Sequence, residues 1–251
     1  MLGVYPFIPL VSDDSDIDDH PQLGSALHLP SLLRIPSLKR LTISDTHLGD
    51  SRWLTTPVAC NLEILHLGSC PYETHDMNGF LIEHILSTVG STVGQASLST
   101  AIVGMAFSQP STPLKQLRKL HITPLFPVDS LLDTLTNVCG SPIETLSVQC
   151  FEDDIIDACE AIEHFLCIRV ERGPPFYANL VQIEVSVVCM DLSCINSEEY
   201  ARATIHLKEL CDDLRLDNNI CDTATMSCAQ QQMPRENGVA SIKGPEMAIS
   251  C

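Results

Sequence analysis

Residues 60–70 read CNLEILHLGSC. Leu62, Leu65 and Leu67 follow an apolar-x-x-apolar-x-apolar spacing, and Cys70 stands three residues after the last of them. An x-Leu-x-Leu-x core has period two. It predicts a short strand with Leu65 and Leu67 turned inward and Ile64, His66 and Gly68 turned outward. The same spacing recurs on both sides of this stretch. Leu38, Leu41 and Ile43 carry it in LKRLTI, Leu117, Leu120 and Ile122 in LRKLHI, and Ile143, Leu146 and Val148 in IETLSV. Leu180, Ile183 and Val185 carry it in LVQIEV, and Cys211, Leu214 and Leu216 in CDDLRL, with Asn219 at the ninth position. Leu41 to Leu65 is 24 residues and Leu120 to Leu146 is 26. The 55 residues from Leu65 to Leu120 suit two units, one of them degenerate.

Amphipathic stretches separate these strands. Phe80, Leu81, Ile85, Leu86 and Val89 share one helical face, as do Val128, Leu131, Leu132, Leu135 and Val138. Ile155, Ile156, Cys159, Ile162, Phe165 and Leu166 mark a third helix behind the acidic run Glu152, Asp153 and Asp154, which favours a helix N-terminus. Ser197, Glu198 and Glu199 open a fourth, running toward Leu210. Strand alternating with helix predicts an α/β fold with a parallel sheet and helices on one side. A single unit cannot bury its own apolar face, whereas stacked units can, so the repetition favours a solenoid over a doubly wound sheet.

The chain has 251 residues, 32 acidic against 14 basic, for a formal charge of −18. A field of that sign repels phosphate backbones and anionic lipid, which argues against nucleic acid and membrane surfaces as partners. Twelve cysteines run from Cys60 to Cys251 with no CxxC pair, no N-x-S/T acceptor and no basic-then-apolar leader. Free thiols in a reducing compartment, cytoplasmic or nuclear, are expected. Ile85 to Leu114 has no charged residue or histidine, but its ten Ser/Thr, three Gly, two Gln and two Pro are too polar for a membrane span. Residues 1–28, with the acidic block SDDSDIDD at 12–19, are expected to form a flexible segment, and 218–251 a disordered tail. The repeat domain occupies 29–217.

The motifs of enzymes are missing: no P-loop, GxGxxG, GxSxG or HExxH occurs, and no cofactor is expected. His66, Cys70 and His75 lie close in sequence, but zinc sites bring a fuller ligand set, so no metal is expected. Cys189 and Cys194 are spaced more widely than a redox pair. The pairs Asp153/Asp154, Asp212/Asp213 and Glu198/Glu199 are adjacent and diverge on a helix, which suits helix ends rather than catalysis. The lone Trp53 lies between repeats, where a core role is expected.

The alternation also yields an outward set, expected on the concave face that solenoids use for binding. It comprises Arg40, Thr42 and Ser44 from the first strand, and Ile64 and His66 from the second. Lys119, His121 and Thr123 follow, then Thr145, Ser147 and Gln149, then Gln182, Glu184 and Ser186. Arg40, His66, Lys119 and His121 make one end of this face basic although the chain is strongly acidic, an end suited to an acidic or phosphorylated peptide.

LPSLLRIPSLKRLTISDTHLGD, CNLEILHLGSC, LKQLRKLHI and SPIETLSV, in that order, resemble the leucine-rich-repeat-like region of fungal F-box proteins, and NSEEYARATIHLKELCDDLRL is similar to their closing helix and strand. The resemblance covers roughly residues 29–217. It implies a leucine-rich-repeat-like solenoid, parallel strands on one face and helices on the other, holding a protein substrate for a ubiquitin ligase. The family's F-box, which docks the Skp1 adaptor, has no counterpart in the 37 residues before Leu38, so Skp1 is expected as a partner only if an F-box lies upstream. Two alternatives stay open: a box-less structural remnant without binding activity, and an α/β enzyme such as a cysteine hydrolase.

Overall fold

Short parallel strands of period two build the molecule. The computed structural model describes residues 3–4, 29–43, 56–68, 75–104, 107–108, 112, 114–188 and 197–220. They form β1 (Gly3–Val4), β2 (Arg40–Ile43), β3 (Ile64–Leu67), α1 (His75–Val89), β4 (Gln95–Leu98), β5 (Lys119–Ile122) and α2 (Leu131–Asn137). Then come β6 (Thr145–Phe151), α3 (Ile155–Arg172), β7 (Gln182–Val188), α4 (Ser197–Asp213) and β8 (Asp217–Ile220). The seven strands β2 to β8 lie in chain order in one sheet, with the two-residue β1 beside β2, and every neighbouring pair is parallel. A doubly wound sheet reverses its strand order part-way; this one does not.

The register repeats without a slip from β2 to β7. Leu41, Leu65, Ala96, Leu120, Leu146 and Ile183 stand side by side. Two residues on, Ile43, Leu67, Leu98, Ile122, Val148 and Val185 form a second row, and both rows are buried. A one-residue shift of any strand would turn its leucines to solvent, so burial of this face holds the register. Both rows share one core with Ile85 and Val89 of α1, Leu131 and Leu135 of α2, Cys159, Ile162 and Phe165 of α3, and Tyr200 and Leu207 of α4. The helices therefore cover one face of the sheet. The backbone repeats as well: the N–H groups of Glu63 and Ile64 donate to Lys39, those of Gly94 and Gln95 to Glu63, those of Arg118 and Lys119 to Gly94, and those of Glu144 and Thr145 to Arg118.

Helix length sets strand spacing. A parallel pair needs a crossover. The seven-residue α2 fits within the 26-residue step from Leu120 to Leu146, whereas the 18-residue α3 stretches the next step, to Ile183, to 37. The crossover after α3 is turned by Gly173 at φ 78, a conformation an L side chain rarely adopts. It then folds Tyr177 under the helices, where its hydroxyl donates to the Leu135 carbonyl at 2.7 Å and its ring meets Phe165 edge-on at 4.8 Å.

The uncharged stretch Ile85–Leu114 holds the end of α1, then β4, then an extended segment buried at Thr100, Ala101 and Ile102. Among the described residues that segment has no strand partner, and side chains bond its backbone at Ile102, Val103 and Gly104. Thr134 Oγ1 accepts from the Ile102 N–H at 3.1 Å, Asn137 Nδ2 donates to the carbonyls of Ile102 and Val103, and the Glu83 carboxylate accepts from the Gly104 N–H. Among the described residues no helix is long and apolar enough to cross a membrane.

The C-terminal end differs from the sequence expectation. The CDDLRL match expects a strand around Leu214 and Leu216, but Cys211 is on the buried side of α4 and Leu214 is in the turn after it. The strand begins later, at Asp217, and places Asn218 and Asn219 in the sheet, three residues beyond the expected limit of 217. The helical pattern wins because Tyr200, Thr204, Leu207 and Cys211 keep a helical spacing with all four buried. The acidic block 12–19, Ser44, Trp53, Cys70, Cys189, Cys194 and residues 221–251 lie outside the described residues. Of the cysteines described, Cys60, Cys139, Cys150, Cys159, Cys167 and Cys211 are free thiols.

Candidate protein-binding face

The side of the sheet away from the helices is built from the other half of the alternation. Arg40, Ile64, Gln95, Lys119, Thr145, Gln182 and Asp217 form one row across it. Thr42, His66, Ser97, His121, Ser147, Glu184 and Asn219 form the next, and Gln149 beside Ser186 begins a third. Thr123 follows β5 directly, and its hydroxyl lies 2.7 Å from that of Ser99. Apart from Ser44, which lies outside the described residues, and Thr123, which follows the end of β5, every residue expected on this face stands in register with its neighbours.

Four members come from strands the sequence pattern did not place: Gln95 and Ser97 from β4, Asp217 and Asn219 from β8. For β4 a signal existed. Val93, Ala96 and Leu98 keep the apolar-x-x-apolar-x-apolar spacing and all three are buried, so alanine has to count as an inward residue. For β8 no such signal exists, since the position in line with Ile183 is Asn218, whose amide donates to the Asp212 carboxylate at 2.8 Å.

Charge is sorted along the face. The residues just before the strands pair off across it, Lys39 with Glu63 at 2.8 Å and Arg118 with Glu144. Exposed pairs of this kind contribute little to stability but cancel each other's field. Arg40 and Lys119, one residue further in, have no ion-pair partner among the described residues, so their charge faces outward. The opposite end carries Glu184, which accepts from Gln182 Nε2 at 2.9 Å, and the exposed Asp217.

Between these ends His66 and His121 flank Ser97 from the two adjacent strands. Ser97 is only 3% exposed although it belongs to the open face, because an imidazole stands on each side of it. Burial holds the His66 ring below its ordinary pKa, with the charges of Arg40 and His121 adding to the effect. Burial also lowers His121, opposed by Glu184. Both rings are therefore predominantly neutral at pH 7. His121 Nδ1 lies 3.2 Å from Ser147 Oγ. This serine–histidine contact sits in the middle of a parallel ladder, where the strand N–H groups are already bonded to neighbouring strands and offer no oxyanion donors.

No family model, curated protein or solved structure matches this chain. What the face can hold therefore follows from its own residues. Apart from Ile64 it is polar, a strip of hydroxyl, amide and imidazole groups with cations on β2 and β5 and carboxylates on β7 and β8. A second surface feature, the open depression of about 210 Å³ bordered by Arg169, Val170, Gly173, Pro174 and Phe176 at the end of α3, is smaller than the ~300–1,000 Å³ usual for small-molecule sites. Among the described residues no three histidine, cysteine or acidic side chains are grouped to hold a metal ion.

Proposed function

We propose that this chain is a leucine-rich-repeat-like solenoid that binds another protein on the open face of its sheet, as the substrate-recognition part of an F-box-type ubiquitin ligase adaptor. The observation that carries the reading is the unbroken register of outward side chains across β2 to β8. An extended, one-sided, polar surface has the dimensions to receive a peptide or a protein edge. The sequential parallel strands with crossovers packed on one side are the arrangement that stacked repeats produce. The sorting of charge gives a partner one preferred direction along the face, since like charges placed opposite each other oppose the reverse orientation.

Site-specific photo-crosslinking tests this. A photoreactive residue replaces Thr145 at the middle of the open face or, in a second variant, Glu160 on the exposed side of α3. A partner identified by crosslinking from position 145 and not from 160 supports the reading. A partner crosslinked from 160 alone would place binding on the helices and refute it.

A further inference from the structure

The turn at residues 173–177, which follows α3, is fixed at both ends. Gly173 has φ 78 and Tyr177 φ 55, and the second is a conformation that a bulky side chain adopts only where its surroundings impose it. Here they do: the Tyr177 hydroxyl is bonded to the Leu135 carbonyl, and its ring lies 4.8 Å from that of Phe165 and 5.2 Å from that of Phe176. Pro174 and Pro175 fix two more φ angles in between. This turn walls the depression at the end of α3, where Val170, Pro174 and Phe176 supply apolar surface and Arg169 a guanidinium. Val170 is 59% exposed on a helix whose opposite side is core. Arg172 stands at the margin, its Cζ 4.8 Å from the centre of the Phe176 ring.

Both arginines are held by groups that do not neutralise them. Arg169 Nη2 donates to the Leu180 carbonyl at 3.4 Å, and the Arg172 guanidinium lies over an aromatic face. Neither has a carboxylate partner among the described residues. Glu171 is one residue from Arg172 and two from Arg169, spacings that do not face each other on a helix. Glu144, whose carbonyl accepts from the Val181 N–H near this turn, has its carboxylate engaged by Arg118. We propose that this depression docks an acidic peptide segment of a partner protein, with one apolar side chain seated against Val170, Pro174 and Phe176 and the flanking carboxylates paired with Arg169 and Arg172.

Size, charge and rigidity select this occupant. At about 210 Å³ the depression falls below the usual range for small molecules and suits a single anchor side chain. The chain carries 32 acidic residues against 14 basic, so two arginines without carboxylate partners beside an apolar surface are a local exception to its field. They favour a ligand of opposite sign and repel a basic one. A guanidinium already stacked on a ring loses little freedom when a carboxylate pairs with its N–H groups. Phe176 is only 8% exposed and is covered by Arg172, so it offers no face on which a nucleic-acid base could stack. The site is separate from the open face of the sheet. It lies on the helix side, next to the start of β7, and ~15 Å along α3 from Glu160.

Fluorescence anisotropy with the full chain tests this. The probe is a labelled peptide in which one leucine is flanked on each side by aspartates, with two controls: leucine changed to serine, and the aspartates changed to asparagines. The probe is expected to bind at least about tenfold more tightly than either control. Arg172→Gln and Val170→Asp should each weaken it by about tenfold or more while leaving the urea midpoint near the parent's, since both positions are exposed. Arg40→Gln, on the open face, should leave the affinity unchanged. Raising salt from about 50 to about 500 mM should weaken binding to the parent more than to Arg172→Gln. Absence of binding, equal affinity for the asparagine or serine control, or undiminished affinity in Val170→Asp would each overturn the proposal. So would equal binding of a single-stranded oligonucleotide, or a loss in Arg40→Gln as large as in Arg172→Gln, which would move the contact to the open face.

Discussion

Replacing Leu65 by alanine tests the register on which both the fold and the binding face depend. Leu65 is 0% exposed, lies at the centre of β3, and stands between Leu41 of β2 and Ala96 of β4. The substitution removes three carbons, about 2.4 kcal/mol of transfer free energy at ~0.8 kcal/mol per carbon. The void cannot close easily, because the flanking backbones are tied into a parallel ladder and the neighbour on one side is already an alanine. A residual cavity of roughly 60 Å³ at ~24 cal/mol per Å³ adds about 1.5 kcal/mol. The expected loss is thus about 4 kcal/mol. Ile64, one residue earlier, faces the open side and is only half-buried, so Ile64→Ala should cost about 1 kcal/mol or less. Urea unfolding followed by circular dichroism gives both values from midpoints and slopes. A loss below about 0.5 kcal/mol for Leu65→Ala, or a larger loss for Ile64→Ala, would mean that the strand faces are assigned the wrong way round.

Three further outcomes follow from particular contacts. Tyr177→Phe removes the donor to the Leu135 carbonyl near the end of α2 and should cost about 1–3 kcal/mol in the same urea assay, since that acceptor is left buried and unpaired; an unchanged midpoint would show the bond to be dispensable. His66 and His121 both have folded pKa values below the ordinary 6.5, so the unfolded chain binds more protons in the interval between the two states. Their contribution to stability is complete above pH 6.5 and is lost as pH falls through the folded values, and His66→Gln with His121→Gln should flatten the midpoint-versus-pH curve over that interval; a curve parallel to the parent's would refute it. Among the described cysteines, pulse alkylation read by mass spectrometry should label the exposed Cys167 first and spare Cys159 and Cys211, whose thiols burial pushes up to about 12 and about 11; labelling of Cys159 ahead of Cys167 would show the interior to be open.

The amino-acid sequence by itself determined the strands whose inward residues are large. Leu41, Leu65, Leu120, Leu146 and Ile183 alternate with neighbours that are polar except for Ile64, and alternation is a local property set by the two-residue period of the chain. It also marked α3 through its apolar spacing and the start of α4 through Ser197, Glu198 and Glu199, and it left room for one strand between Leu65 and Leu120. Tertiary structure decided what local pattern leaves ambiguous. Ala96 reads as weakly apolar in isolation and becomes an inward residue because Leu65 and Leu120 stand on either side of it. Leu214 and Leu216 fit the strand core of the repeat template, yet the packing of Tyr200, Thr204, Leu207 and Cys211 into the core extends α4 to Asp213 and delays the strand to Asp217. The buried segment Thr100–Ile102 has no regular hydrogen-bonding pattern to announce it, because its backbone partners are side chains of Thr134 and Asn137 more than thirty residues away. The histidine cluster lies at the same boundary. His66 and His121 are individually legible as outward residues, but Ser97 brings them to one point only when β4 is inserted between their strands, and strand neighbours are fixed by the stacking of crossovers rather than by any property of the residues themselves.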